Sequence, residues 1–325
     1  MKELTVSANE GGQRLDKYLS KRFKTMPKSL LYKYLRTKCI KLNGKKASPE
    51  VFVNEGDKLT FYINEEFFAE ENTQREFDGV STELRIVYED ENILIADKPA
   101  GLLCHSDSKE STDTLVNRIK AYLVKNGEYK PGGAFAPALC NRIDRNTCGL
   151  VIAAKTAAAL RDVNRRIKQR LVERRYLAAV HGTPSPQSGC IKGYLRKNTS
   201  ENKVYLDENK RFPDEKEAIT KYTTLRSKNG ISLVEAELVT GRTHQIRVQL
   251  ASIGNPLLND TKYENAGREK DIRDKKIRRQ YHCRQSLCAY KLKFLETEKD
   301  SISYLDGKVF LSSAPDFTKY FDFTI

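Results

Sequence analysis

Apolar positions along the chain follow two regimes. Between residues 11 and 63 they recur at helical spacing, and Leu15, Tyr18, Leu19 and Phe23 line one face of a helix. Pro27 and Ser29 are start signals for a second helix that carries Leu30, Leu31, Tyr34 and Leu35. Ile40 and Leu42 lead into Asn43-Gly44, a dipeptide that favours the tight turn between two short strands, and KLTFYI (58–63) reads as a further strand. The pattern predicts a helix–helix–hairpin unit of about fifty residues, near the lower size limit for a self-contained core. From Leu84 onward short apolar runs take over: LRIVY, NILIAD, GLVIAAK, RYLAAVHG and SLVEAELV. Helical patterns lie between them at 112–125, 156–172 and 243–253. Strands and helices mix without regular βαβ alternation, so the expectation is an α+β fold with a largely antiparallel sheet. Residues 64–83 separate the two regimes and read as a polar, aperiodic linker.

Charge sharpens this division. The 325 residues carry 58 Lys and Arg against 43 Asp and Glu, a formal net charge of +15. Such a balance favours a polyanionic partner, and nucleic acid is the commonest. An anionic membrane surface is the competitor, but no long basic amphipathic helix supports it. Residues 11–63 hold 13 basic against 4 acidic side chains, a net of +9, whereas 64–83 hold 7 acidic against 1 basic, a net of −6. A second basic stretch, 264–285, has 8 basic against 4 acidic side chains and reads equally well as a solvated insertion or a phosphate-contacting loop. The start, MKELTVSANEGGQ, lacks the apolar core of a secretory signal, and no apolar run is long enough to span a membrane. The seven cysteines are odd in number, scattered, and form no C-x-x-C pair. His282, Cys283 and Cys288 lack a fourth ligand at suitable spacing, so no metal site is expected. These features place the chain in the cytoplasm.

Three segments set polar residues beside apolar strands. NRIDRNTCGLVIAAK places Asp144 between Arg142 and Arg145 at the start of an apolar run. By local propensity alone, Asp144 would be a turn carboxylate paired with a neighbouring arginine. RRYLAAVHG opens a strand on Tyr176, which on its own would be a core tyrosine. GRTHQIRVQLASIGNPLLND puts Thr243, His244 and Arg247 within one helical turn, with Ile246 and Leu250 facing a core; alone, it would be an amphipathic surface helix. There is no nucleophile elbow, Walker loop or dinucleotide fingerprint. Arginines for phosphates, an aromatic ring to stack on an unpaired base and one carboxylate together suit work on a base within RNA.

These segments, in this order, resemble an RluA-type pseudouridine synthase with an S-four-type RNA-binding domain at its N-terminus. The N-terminal domain is matched by QRLDKYLSKRF, PKSLLYKYLR, IKLNGKK and EGDKL; the catalytic domain by YEDENILIADKPAGLLCH, the signature NRIDRNTCGL, ERRYLAAVHG and GRTHQIRVQLASIGNPLLND-TKY. The resemblance implies an RNA-binding domain at 1–63, an acidic linker at 64–83 and a catalytic domain at 84–325. It implies a pseudouridine synthase fold, in which helices flank a mixed, mainly antiparallel sheet, and a reaction that needs no cofactor. Asp144 matches the catalytic aspartate. Tyr176 matches the tyrosine that packs on the target base, and Arg247 the arginine that orients the aspartate. Arg142 matches the arginine that fills the gap left by a flipped uridine, and Ile246 or Leu250 would form the apolar wall. Lys28, Ser29, Lys33, Arg36 and Lys41 are the expected RNA contacts of the N-terminal domain. Arg145 is left with only a share in the general positive field. His105, His181 and His244 are expected to serve structural hydrogen bonds, since the proposed chemistry needs no imidazole.

The family pattern is not followed everywhere. Asn141 stands where the family usually has His, Cys148 where Ser or Ala is common, and Gln249 where His is usual. Cys288 replaces a His of the late L-H-A segment. The N-terminal motifs look most like the RluC subgroup, with RluD next and a tRNA-modifying member third. The expected partner is large-subunit rRNA, and the expected state is a monomer. Rival readings are a noncatalytic ribosome-assembly factor and a base-releasing glycosylase. Retention of Asp144, Tyr176 and Arg247 argues against the first, and free uracil among the products would mark the second.

Overall fold

The computed structural model describes residues 1–325 apart from 69–76, 78, 109, 199, 202, 264–284 and 298. The N-terminal unit runs β1 (Lys2–Thr5), β2 (Gln13–Arg14), α1 (Leu15–Arg22), α2 (Lys28–Arg36), β3 (Ile40–Leu42), β4 (Lys45–Lys46), β5 (Phe52–Val53) and β6 (Lys58–Phe61). Four of its strands form an antiparallel sheet in the order β1-β6-β3-β4. The stripe of Leu15, Tyr18, Leu19 and Phe23 is buried against this sheet together with Leu31 and Leu35 of α2. Asn43 and Gly44 have φ of 50° and 75°, the left-handed conformation that the two-residue hairpin turn requires. The packing continues past residue 63. Phe68, in a short 3-10 turn (Glu65–Phe68), sits edge-on to Phe23 at 5.2 Å and Phe61 at 5.5 Å. The acidic segment therefore begins as part of the core, while most of its remainder lies outside the described residues.

The larger unit comprises β7 (Ile86–Glu89), β8 (Ile93–Lys98), α3 (Leu115–Lys125), β9 (Ala138–Leu139), β10 (Cys148–Ala154), α4 (Ala157–Lys168), β11 (Val172–His181), β12 (Ser188–Asn198), β13 (Lys203–Asp207), β14 (Lys216–Lys228), β15 (Ile231–Leu238), α5 (Gln245–Ser252), β16 (Leu287–Phe294) and β17 (Val309–Leu311). Its strands form one 11-stranded sheet with the main order β13-β12-β14-β15-β11-β16-β10-β8-β7. Every pairing is antiparallel except β10 with β16. This is the α+β class with a mainly antiparallel sheet that the sequence predicts. Strands β12 to β14 escape the sequence reading for a physical reason. The buried positions of β14 are Ala218, Thr220 and Tyr222, which give no apolar alternation, and their neighbours are mostly charged or polar.

Alternation along the central strands sorts residues onto two faces. Tyr176, Ala178 and Val180 of β11 enter one core, and Leu177 and Ala179 enter another. Helices α3 and α5 cover the first face through Leu115, Ile119, Leu123, Ile246 and Leu250. Helix α4 covers the opposite face of β8 and β10 through Ala159 and Val163. The N-terminal unit seats against the larger one along a seam of main-chain contacts. Arg161 Nη1 donates to the Gly12 carbonyl at 2.6 Å, and Ala157 N to the Asn9 carbonyl at 3.0 Å. From the other side, Arg22 Nη1 donates to the Gly132 carbonyl at 2.5 Å, and Glu10 Oε1 accepts from Ala134 N at 2.5 Å. A Cβ at Gly12, whose φ is +78°, would lie 2.9 Å from that of Ala158, so the approach requires glycine.

Helix α4 also anchors the C-terminal segment. Its fully buried Arg166 donates to Asp300 at 2.8 and 2.6 Å and to Asp306 at 2.5 Å. Burial raises the Asp300 pKa, but the hydrogen bonds from Arg166 and Arg165 outweigh it and hold the carboxyl down at about 2. Because this pKa is depressed, the pair's contribution is complete above the unfolded value of 3.8 and is lost as pH falls from there through about 2. Arg166→Met should cost about 3 kcal/mol in urea denaturation, since a buried carboxylate loses its main partner. It should also flatten the stability loss over that acidic window; an unchanged midpoint would contradict the role assigned to the pair.

Candidate active site

Three elements that are distant in sequence converge on one cavity of about 270 Å³. The loop before β10 supplies Arg142 and Asp144, β11 supplies Tyr176, and the start of α5 supplies Ile246 and Arg247. Arg247 Nη1 donates to Asp144 Oδ2 at 2.8 Å, across 103 residues of sequence. The other arms of the same guanidinium, Nε and Nη2, donate to Asp260 Oδ2 and Oδ1 at 2.7 and 2.8 Å. Asp260 also accepts from Gln285 Nε2 at 3.2 Å and Lys262 N at 3.1 Å, so its buried carboxylate is fully engaged. Asp144 Oδ1 accepts no hydrogen bond among the described residues. One oxygen is fixed and the other is uncommitted. Leu250 lies one turn beyond Ile246, in the core and off the cavity wall, which Leu238 and Leu287 help to form. Arg142 is exposed and makes no ion pair among the described residues.

The loop bearing Asp144 is held from below. Lys98, fully buried at the end of β8, donates to the carbonyls of Pro99 (2.9 Å), Leu102 (2.8 Å) and Arg145 (3.1 Å). Arg145 gains a definite role here, in place of a mere share in the positive field. Its carbonyl accepts from Gly101 N at 2.7 Å, and its Nε donates to the Gly101 carbonyl at 3.1 Å. Asn141 fastens the other end, accepting from Ile152 N at 2.8 Å. On β11, the pairing with β16 shifts register between Arg175 and Tyr176, a bulge that sets the direction of the next side chain. Tyr176 lies opposite Ala236 and Ala289, whose small side chains leave room for its ring.

Helix α5 is buried on nearly every side, unlike a surface amphipathic helix. Gln245 Nε2 donates to Ile219 O at 3.0 Å and Thr220 Oγ1 at 2.9 Å. One turn on, Gln249 Nε2 donates to Ile191 O and Ala218 O at 3.0 and 3.1 Å, while its Oε1 accepts from Thr220 Oγ1 at 2.6 Å. The glutamine in place of a usual histidine thus satisfies its own amide completely. His244 precedes the helix in a left-handed conformation (φ 55°). Its Nδ1 lies 2.8 Å from Tyr263 Oη, which in turn accepts from Val204 N at 2.9 Å. The other ring nitrogen, Nε2, lies 3.8 Å from Asp144 Oδ2.

Burial opposes the Arg247 charge, but the hydrogen bonds and charges of Asp260 and Asp144 outweigh it and raise the guanidinium pKa. Burial pushes the Tyr176 phenol up to about 12 and the Lys98 ammonium down to about 8. His244 falls to about 4, chiefly through burial, with Arg247 and Lys262 adding to the effect and Asp144 opposing it. The neutral imidazole agrees with the structural role expected of it. His181 also serves the scaffold, accepting from Asn255 Nδ2 at 2.8 Å through its carbonyl, whereas His105 is exposed.

In the N-terminal unit, Lys28, Ser29, Lys33 and Arg36 are exposed along α2, and Lys41 lies half-buried with Nζ 5.2 Å from the Tyr62 ring centroid. All five stand outside the cavity lining. The basic stretch 264–285, apart from Gln285, and with it His282 and Cys283, lies outside the described residues. Asp260, Tyr263 and Lys98 are site-building residues that sequence reasoning passed over. Each occurs within a quoted motif, but a lone Asp before Thr-Lys reads as a turn, and a Lys before Pro reads as surface.

His244 should titrate near pH 4 in a ¹H–¹³C NMR titration, far below the ordinary 6.5. Its folded pKa is the lower one, so between these values the unfolded chain binds the extra proton, and this group erodes stability as pH falls from about 6.5 to 4. Titration at an ordinary value would contradict the buried, Tyr263-bonded imidazole.

Residues 92–252 match the RNA pseudouridylate synthase family. The chain is 32% identical over 269 residues to ribosomal large subunit pseudouridine synthase C of Pasteurella multocida, covering 81% of this chain and 78% of that one. It is 31% identical to an RNA pseudouridine synthase of Mycoplasma pneumoniae, covering 90% and 88% of the two chains. Ribosomal large subunit pseudouridine synthase D of Nitrosomonas europaea is 30% identical, with 92% and 82% covered. The solved structure of human RNA pseudouridylate synthase domain containing 4 has the same fold, with a TM-score of 0.57 at 22% identity over 74% of this chain and 94% of that one. Among the described residues, no helix is long and apolar enough to cross a membrane. With such identity over most of the length of its relatives, the chain belongs to the RluA-type RNA pseudouridine synthases, isomerases that convert uridine to pseudouridine in RNA.

Proposed function

We propose that this enzyme modifies specific uridines of large-subunit rRNA, with Asp144 as its catalytic carboxylate and the target base flipped into the cavity beside Tyr176. The observation that carries the reading is the Arg247–Asp144 contact at 2.8 Å, which fixes one carboxylate oxygen and leaves the other uncommitted beside a buried tyrosine. A carboxylate that works as an anion away from bulk water needs a permanent cation, and a guanidinium supplies one without losing its proton. The N1–C1′ bond breaks, the uracil turns while still held, and C5 bonds to C1′. Every ring atom is retained, so a confining pocket matters as much as the carboxylate. Tyr176 offers a stacking surface, Ile246 an apolar wall, and Arg142 an unengaged cation to fill the gap in the RNA.

The names of the Pasteurella and Nitrosomonas relatives support the large-subunit substrate, and the N-terminal motifs favour the RluC-like subgroup over the RluD-like one. A tRNA substrate is the alternative within the same chemistry. In this reading residues 1–63 form an S-four-type RNA-binding domain that contacts RNA through Lys28, Ser29, Lys33, Arg36 and Lys41. The exposure of the four on α2 and the local excess of basic residues support it. No cofactor is required, and the enzyme works as a monomer in the cytoplasm.

Carbodiimide–primer-extension mapping of RNA from a strain lacking the protein tests this assignment. Stops should vanish from large-subunit rRNA and return with the wild-type gene. Asp144→Asn should lower pseudouridine formation by on the order of 10³-fold; full restoration by this variant would refute the catalytic role. Lys33→Glu with Arg36→Glu should weaken RNA binding and reduce the slope of log affinity against log salt by about 1–2. An unchanged slope would remove α2 from the RNA interface.

A further inference from the structure

Among the described residues, the one parallel strand pairing in the large sheet brings two cysteines opposite each other. Cys148 opens β10, Cys288 is the second residue of β16, and the two are register partners, followed by Gly149 and Ala289. Both side chains pack on the same side, against the cluster containing Leu177, Leu258 and Phe317. The two strands approach closely here: a Cβ at Gly149 would lie 2.3 Å from the Ala289 carbonyl oxygen, so only glycine allows this contact. Parallel neighbours run about 4.8 Å apart, inside the Cα separation that a disulfide spans. They lie 140 residues apart in sequence.

The pair is accessible from one side. Cys148 lines a cavity of about 630 Å³ on the far side of the Asp144 loop, beside Asp97, Lys98 and Pro99. Cys288 lies behind it, fully buried and 3.5 Å from Ser312 Oγ. The Cys288 thiol holds Cys148 below the ordinary thiol range, against burial and Asp97, with Lys98 assisting; Cys288 itself is pushed up by Cys148 and by burial. Because Cys148 faces the cavity and Cys288 lies buried behind it, Cys148 is the sulfur a peroxide reaches first and Cys288 the resolving one.

We propose that Cys148 and Cys288 are a thiol-oxidation site at which a peroxide forms a reversible disulfide that slows the isomerisation. The Cys148 thiolate attacks a peroxide oxygen, the O–O bond breaks, and the released hydroxide takes up a proton to leave as water. Cys288 sulfur then attacks the sulfenic sulfur of Cys148. The S–S bond forms as the S–O bond breaks, and the second hydroxide leaves as water with the Cys288 proton. Two thiols are oxidised and one peroxide is reduced to two waters; a dithiol reverses the change. The effect on rate follows from the neighbours, because Thr147 and Leu287, immediately before the two cysteines, both line the cavity that holds Asp144. Drawing the sulfurs to about 2.05 Å shifts those walls.

The full-length protein is treated with hydrogen peroxide, digested without reduction and mapped by mass spectrometry, while turnover is measured on RNA from the strain lacking the enzyme. The expected result is a linked Cys148–Cys288 peptide and turnover lower by about tenfold or more, recovered with dithiothreitol. Cys148→Ser and Cys288→Ser should each keep the reduced-state turnover and lose the peroxide effect. Absence of the linked peptide under conditions that oxidise exposed Cys190 would overturn the proposal, and so would a linked protein with unchanged turnover. Peptide mapping of the wild type decides the first point even where a serine variant folds poorly. None of these readouts depends on which RNA is the natural substrate.

Discussion

One guanidinium organises this enzyme. Arg247 is buried, and it can stay charged there only because two carboxylates share it: Asp260 through two of its arms and Asp144 through the third. Asp260 is the structural anchor, saturated by four donors and closed off from solvent. Asp144 is the minor partner, held by one oxygen. This inequality lets a carboxylate be both fixed and chemically available. It also explains why α5 is pinned so firmly. A helix of eight residues has little intrinsic stability, and Gln245 and Gln249 tie it to β12 and β14 so that Arg247 presents its fork at a fixed height.

The elements of this arrangement were visible in the sequence to different degrees. The short apolar runs GLVIAAK and RYLAAVHG located two of the central strands, but a continuous run does not say which face each residue takes. Asn43-Gly44 located the N-terminal hairpin. The resemblance on NRIDRNTCGL and GRTHQIRV joined Asp144 to Arg247, which local chemistry could not have done. Left to propensity, Asp144 pairs with an adjacent arginine; in the structure Arg145 donates to the Gly101 carbonyl instead, and exposed Arg142 makes no ion pair among the described residues. Asp260 and Lys98 stayed hidden because their importance lies in what they hold, and main-chain carbonyls leave no trace in residue identity. Strand β14 stayed hidden because its inward positions, Ala218, Thr220 and Tyr222, are small or polar, and in β12 and β13 the few buried apolar residues, Ile191, Leu195 and Val204, are set among charged neighbours. The boundary at 63 falls short because Phe67 and Phe68 sit inside an acidic stretch whose composition masks them.

The site also separates polar roles by depth. Deepest are groups with every hydrogen-bonding capacity used, such as Lys98 against three carbonyls and Gln249 with three bonds. Above them sit groups with one bond made and capacity to spare, such as Asp144. At the rim stands exposed Arg142, with no ion pair among the described residues. Hydrogen-bond saturation therefore falls from the floor of the cavity to its rim, so the supporting groups are fixed while those facing the cavity keep spare capacity.

The seam between the two units has a different logic. Its polar contacts use the backbone of the loops at Asn9, Gly12, Gly132 and Ala134, approached by side chains from the other unit or by its main chain. A backbone group survives almost any substitution of its own residue. The seam therefore constrains the path of those loops far more than their sequence, with Gly12 the exception. Apart from Gly12 and the side chains of Glu10, Arg22 and Arg161, each unit can drift in sequence without losing its place on the other, so its exposed surface can be retuned by mutation while its distance from the Asp144 cavity is preserved.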